Sequence, residues 1–212
     1  MKERWIVLFV IAGALHAAET PTPAILFLGD SLTAGYGLSE EQAHPAVVAE
    51  KLSAAGVSYQ VINAGVSGET TAGGLRRLGW LLQRKVDILI VSLGGNDGLR
   101  GVDPASTEQN LQAIIDKAKA NQPDIRIILT GMQMPPSMGA EYTTAFRELF
   151  PRLAVTNGLR LVPFLLEGVG GISEMNLPDG IHPNAAGQRR VAENVYAVLV
   201  EMIGLDVDEI ED

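Results

Sequence analysis

A chain of 212 residues with 47% hydrophobic content is the size of one ordinary globular domain. Its formal net charge of -9 excludes the basic stripe with which a nucleic-acid binder displaces counterions. The absence of cysteine excludes thiol nucleophiles, Cys-ligated zinc, iron–sulfur clusters and disulfides.

In chain order, Lys2 and Arg4 precede an apolar run over residues 5–15, followed by Ala17, Ala18 and the polar Glu19. This is the layout of a secretory signal peptide, and the run is short of the roughly 20 residues that span a bilayer. Residues 1–18 are therefore expected to be a signal peptide that sends the protein to the periplasm or outside, with no stable membrane span after cleavage. An uncleaved N-terminal anchor is the alternative. Residues 19–204 are expected to form the domain. Residues 205–212, with Asp206, Asp208, Glu209, Glu211 and Asp212, read as a solvated acidic tail.

Within the domain, short apolar runs at 24–28, 59–62, 86–93, 125–130 and 160–162 read as buried parallel strands. Helical spacing lies between them. Pro45 fits the first turn of a helix reaching residue 55, and Leu75, Leu78, Leu81 and Leu82 form one face of the next. Further helices are expected over 107–120, 141–156 and 185–202. Five β-α units predict a three-layer α/β/α sandwich around a five-stranded parallel sheet.

The segment Gly29-Asp30-Ser31-Leu32-Thr33-Ala34-Gly35 follows the first strand directly. In open α/β sheets ligands bind beyond the carboxyl ends of the strands, where helix N-termini also favour anions. Ser31 is there a candidate nucleophile, with a helix-capping serine as the bland reading. A serine hydroxyl needs a base, and the chain has three histidines. His16 lies in the expected signal, and His44, immediately before Pro45, reads as a helix-entry residue. His182 has an acid three residues earlier, in Asp179-Gly180-Ile181-His182-Pro183. A tight turn there sets the Asp179 carboxylate against one ring nitrogen, where it selects the tautomer and stabilises imidazolium.

Acyl transfer also needs donors for the developing oxyanion. The segment Asn63-Ala64-Gly65-Val66-Ser67-Gly68-Glu69-Thr70 offers the Gly68 backbone N–H, and Leu93-Gly94-Gly95-Asn96-Asp97 offers the Asn96 amide. Each has a plain alternative: a turn glycine at Gly68, and a left-handed turn residue at Asn96. Asp30 and Asp97 flank these candidates and read as structural. Gly65-Val66-Ser67-Gly68-Glu69 fails the G-x-S-x-G pattern at its last position, which disfavours a lipase-type nucleophile elbow.

Taken together, these four segments resemble the motif blocks of the SGNH, or GDSL, hydrolase family, named for its Ser, Gly, Asn and His. The blocks occur in the family's order, and the likeness runs from about Ile25 to Val200. Within the family it is strongest to the bacterial acyl-CoA thioesterases also described as lysophospholipases and arylesterases. The resemblance implies a flavodoxin-like sheet, Ser31 as nucleophile, His182 as base and Asp179 as its orienting acid. It also implies an oxyanion hole from the Ser31 N–H, the Gly68 N–H and the Asn96 amide, with no metal or organic cofactor. The implied partner is a small-molecule acyl ester or thioester.

The loop Gly131-Met132-Gln133-Met134-Pro135-Pro136-Ser137-Met138-Gly139 corresponds in the thioesterase-like members to one lining the substrate groove. Met132, Met134, Pro135 and Met138 are thus candidate substrate contacts, while methionines after a strand also serve as core. Two alternatives share the fold: a carbohydrate O-deacetylase with the same triad, and a non-catalytic flavodoxin-like protein holding an anion at Ser31 and helix N-termini.

Overall fold

The structure, a computed structural model, describes residues 22–205. The expected signal segment and the tail from residue 206 onward lie outside the described residues. Five parallel strands, β1 (Ala24–Gly29), β2 (Gln60–Gly65), β3 (Ile88–Ser92), β4 (Arg126–Thr130) and β5 (Arg160–Val162), form one sheet in the order β2-β1-β3-β4-β5. That is the doubly wound, flavodoxin-like order. The helices are α1 (Ser31–Ala34), α2 (His44–Ala54), α3 (Thr71–Leu81), α4 (Gly95–Leu99), α5 (Pro104–Asn121), α6 (Ala140–Asn157) and α7 (Ala185–Ile203).

Right-handed crossovers decide which face each helix covers. The chain runs one way from β1 to β2 and the other way from β1's opposite side through β3, β4 and β5. Accordingly α2 packs with α7 on one face, and α5 packs between α3 and α6 on the other. With both faces covered, the central strands lose all alternation: every residue of β1 and β3 is buried. Phe27, Leu28, Ile90 and Val91 belong to the same continuous core as Phe146, Phe150, Val195 and Leu199. The three-layer sandwich expected from the sequence is the fold observed.

The differences are local and have physical causes. Strand β2 continues to Gly65, pairing Asn63, Ala64 and Gly65 with Phe27, Leu28 and Gly29. Asn63 is tolerated because its amide donates to the Thr33 carbonyl and its oxygen accepts from the Gly65 N–H. As an edge strand β2 is half-buried, not fully covered. Strand β3 starts only at Ile88, and the preceding Asp87 meets Ala24 twice, its N–H donating to the Ala24 carbonyl at 2.9 Å and its carboxylate accepting from the Ala24 N–H at 2.8 Å. Helix α5 starts at Pro104, capped by Asp103, whose side chain accepts from the Ala105 N–H. The short helices α1 and α4, unexpected as separate elements, both start at strand ends and carry the site.

Candidate active site

The β1 and β3 strands flank the point where the sheet order reverses, so the segments after β1, β2 and β3 converge there. Asp30 is the N-cap of α1, with its carboxylate accepting from the Leu32 N–H at 3.0 Å. Ser31 is therefore the first residue of the helix, not its cap. The helix closes after one turn at Gly35, which adopts a left-handed conformation (φ 74°). Gly65 lets β2 lie against this turn: a Cβ there would stand 2.3 Å from the Ala34 backbone nitrogen.

His182 reaches Ser31 from the far end of the chain. Its turn is closed by the Leu177 N–H donating to the His182 carbonyl at 2.7 Å and the Gly180 N–H donating to the Leu177 carbonyl at 2.9 Å. One Asp179 oxygen accepts from the N–H groups of Ile181 (2.9 Å) and His182 (3.0 Å), and the other lies 2.7 Å from His182 Nδ1. The His182 N–H foremost, then the Ile181 N–H and the imidazole, hold the Asp179 carboxyl down to about 2, so it is ionised throughout the neutral range. An ionised carboxylate only accepts. Nδ1 must then carry the proton, and in the neutral ring Nε2 is a bare acceptor. Nε2 lies 2.9 Å from Ser31 Oγ, placed to take the hydroxyl proton. Ser31 is largely buried, with 8% of its surface exposed.

Asn96 lies in the first turn of α4 in right-handed conformation; the left-handed residue is Gly94 (φ 117°). The Asn96 amide donates to Asp30 at 3.2 Å, which leaves its second N–H for another acceptor. Burial pushes the Asp30 carboxyl up to about 6, against the Leu32 N–H, the Asn96 amide and the nearby His182. Gly68 is exposed and left-handed (φ 79°), and its carbonyl accepts from Arg100 at 3.0 Å. The neighbouring Glu69 pairs with Arg77, which also donates to the Ala64 carbonyl. Buried Asp97 takes the Thr71 N–H at 2.8 Å and the Thr71 hydroxyl at 2.5 Å. It thereby ties the start of α3, just after Gly68, to the helix that carries Asn96.

Of the loop after β4, Met132 and Met134 are buried in the core, Met138 is half-buried and Pro135 is exposed. A Cβ on Gly98 would meet Met134 Sδ at 2.1 Å, so this loop packs directly under α4. His44 is fully buried at the start of α2, as a helix-entry residue. Its N–H and Nδ1 face Gln188 Oε1 at 2.9 and 3.0 Å, and Gln188 Nε2 donates to the Leu32 carbonyl at 3.0 Å. Gln188 and the bond between Asp30 and Asn96 were not anticipated from the sequence. The first had a visible signal, for Gln188 sits on the buried stripe of α7 with Val191, Ala192, Val195 and Leu199, where an unpaired polar residue is unfavourable.

Comparison with known proteins places the chain in a family. Residues 27–190 match the model of the GDSL-like lipase/acylhydrolase family. The chain is 41% identical over 194 residues to esterase TesA of Pseudomonas aeruginosa, covering 91% of this chain and 96% of that relative. It is 36% identical over 204 residues to thioesterase 1/protease 1/lysophospholipase L1 of Escherichia coli, covering 96% of each. A crystal structure of TesA superimposes with a TM-score of 0.81 at 43% identity, covering 84% of this chain and 99% of that one. The family match spans Ser31, Gly68, Asn96, Asp179 and His182, and on it the chain belongs to the GDSL-like lipase/acylhydrolase family of SGNH hydrolases.

Proposed function

We propose that the protein hydrolyses small acyl esters and thioesters through an acyl-enzyme on Ser31, with His182 as general base and acid and Asp179 as its orienting partner. The observation that carries the reading is the continuous chain from Asp179 through His182 Nδ1 and Nε2 to Ser31 Oγ, at 2.7 and 2.9 Å. Both distances lie within the hydrogen-bond reach that proton transfer needs.

Ser31 Oγ attacks the acyl carbonyl carbon while His182 Nε2 takes the hydroxyl proton. The resulting oxyanion is met by the Ser31 N–H at the start of α1, the Gly68 N–H and the free N–H of Asn96. When the intermediate collapses, the bond to the leaving oxygen or sulfur breaks and His182 returns the proton to it. Water then attacks the acyl-serine, giving one proton to His182; the C–Oγ bond breaks, Ser31 regains a proton and the carboxylic acid leaves. The accessible residues of the loop after β4, Pro135 and Met138, are the proposed acyl-chain contacts. Met132 and Met134 act beneath them, holding the loop to α4.

The names of the relatives support an ester or thioester substrate. The Lys2/Arg4, apolar and Ala17-Ala18 sequence supports export, with residues 1–18 as the signal, 19–204 as the catalytic domain and the periplasm as destination. Among the described residues, no helix is long and apolar enough to cross a membrane.

The test is turnover of p-nitrophenyl esters of increasing chain length, acyl-CoA and lysophospholipid by wild type, Ser31→Ala and His182→Ala. Both variants should fold and lose at least about a thousandfold in kcat. Near-native turnover in either would refute the assignment.

A further inference from the structure

We propose that Tyr36 is a positioning residue for His182: its ring packs on the imidazole, holds Nε2 toward Ser31 and stabilises the imidazolium formed when the serine gives up its proton. The inference rests on the reading of His182 as base. The ring centroids of Tyr36 and His182 are 4.4 Å apart with the planes tilted by 35°, inside the roughly 6 Å over which a cation is drawn to an aromatic face.

The backbone shows that this contact is built into the site. Tyr36 donates its N–H to the Ser31 carbonyl at 3.1 Å, so one residue is tied to the nucleophile by its main chain and to the base by its ring. It stands between two left-handed glycines, Gly35 (φ 74°) and Gly37 (φ 78°). Gly37 in turn lies against Leu177, whose Cδ1 would be 2.8 Å from a Cβ there. Leu177 donates its N–H to the His182 carbonyl, so the two turns abut. The ring contributes little to the core, with 51% of Tyr36 exposed.

The charged groups around the imidazole are Asp179 from its own turn and Asp30 from the turn before α1. Tyr36 adds an aromatic face to these two carboxyls. Attraction to that face grows only as the imidazole becomes cationic, which is the condition for lowering a barrier instead of merely binding substrate.

The sign of the pH effect follows. Removing the face makes protonation of His182 harder, so the acid limb of the rate profile moves to lower pH even as the rate falls. The experiment measures kcat and KM for p-nitrophenyl acetate against pH for the full chain carrying Tyr36→Leu, Tyr36→Phe or Tyr36→Trp, with His182→Ala beside them. Tyr36→Leu should lower kcat about three- to tenfold, leave KM within about twofold and shift the acid limb down by a few tenths of a pH unit. Tyr36→Phe should recover most of the loss.

Wild-type kcat and an unmoved limb in Tyr36→Leu would overturn the proposal. A rise in KM with kcat intact, which would make Tyr36 a substrate contact, would overturn it too, as would a Phe variant as damaged as Leu. If Tyr36→Leu folds poorly, the other two decide: the stronger aromatic face of Trp should carry the limb above that of Phe, and a lower limb refutes the role. The outcomes separate from the reading beneath them, because an active His182→Ala removes His182 as base whatever the Tyr36 variants do.

Discussion

Replacing Gln188 with alanine should loosen the link between the two ends of the site, which lie 151 residues apart in sequence. The side chain is 1% exposed and makes three contacts: Oε1 with the N–H and Nδ1 of His44, and Nε2 with the Leu32 carbonyl. Its orientation is fixed chemically, because a backbone N–H only donates and a backbone carbonyl only accepts. His44 Nδ1 therefore carries the proton, and Nε2, which has no partner, is bare.

Gln188→Ala leaves two buried donors and one buried acceptor unpaired. At about 1–3 kcal/mol for each orphaned group, with partial relaxation, the loss comes to roughly 3–6 kcal/mol. That is a large part of the 5–15 kcal/mol by which domains are typically stable. Urea unfolding followed by circular dichroism measures it. Because the Leu32 carbonyl belongs to the residue after the nucleophile, and Gln188 rides on the helix that follows His182, kcat should fall as well. A loss under about 1 kcal/mol with unchanged kcat would refute the reasoning, since buried groups of this kind cannot be abandoned without cost.

Gly65→Ala should destabilise by about 3 kcal/mol and lower kcat, because its Cβ would strike the Thr33–Ala34 backbone of the nucleophile turn. Gly98→Ala brings its Cβ against the Met134 side chain, which can change rotamer where backbone cannot, and should cost less, about 1–2 kcal/mol; equal losses in urea melts would contradict the distinction. Stability against pH should reveal a compensation. Burial depresses buried His44 to about 4, so the unfolded chain takes up a proton that the folded chain refuses, and stability falls from pH 6.5 toward 4. Asp30, raised to about 6, is protonated first in the folded chain and adds stability as pH falls from 6 toward 3.8. Each effect is on the order of 3 kcal/mol. Wild type should therefore change little between pH 6 and 4, while Asp30→Asn, with the His44 effect left alone, should lose stability steeply; parallel curves would dismiss the compensation.

The five strands and the three-layer sandwich were legible in local signals, while the strand order and the Ser31–His182–Asp179 grouping came with the family resemblance. The apolar runs are long enough to mark strands, and few histidines compete for the role of base. The D-x-x-H spacing is a weak signal alone and gains its meaning only beside the Ser31 segment. Long-range polar pairing was less visible. Asp30 and Asn96 meet across 66 residues, and nothing in either segment names the other. The left-handed conformation expected as one reading of Asn96 belongs instead to Gly94, two residues earlier, since glycine adopts it without strain. Tyr36 had no periodicity to expose it, because its ring serves a neighbouring turn and not a helix or strand face. In the methionine loop the core reading holds for Met132 and Met134, which are buried, whereas Met138 is half-buried and Pro135 exposed.

Covalent labelling by a fluorophosphonate, read by intact mass and peptide mapping on the folded protein, tests the central claim most directly. One phosphonyl group per chain is expected, on Ser31 Oγ, with labelling sharply slowed in His182→Ala. No adduct at Ser31, or equal labelling with and without His182, would contradict it.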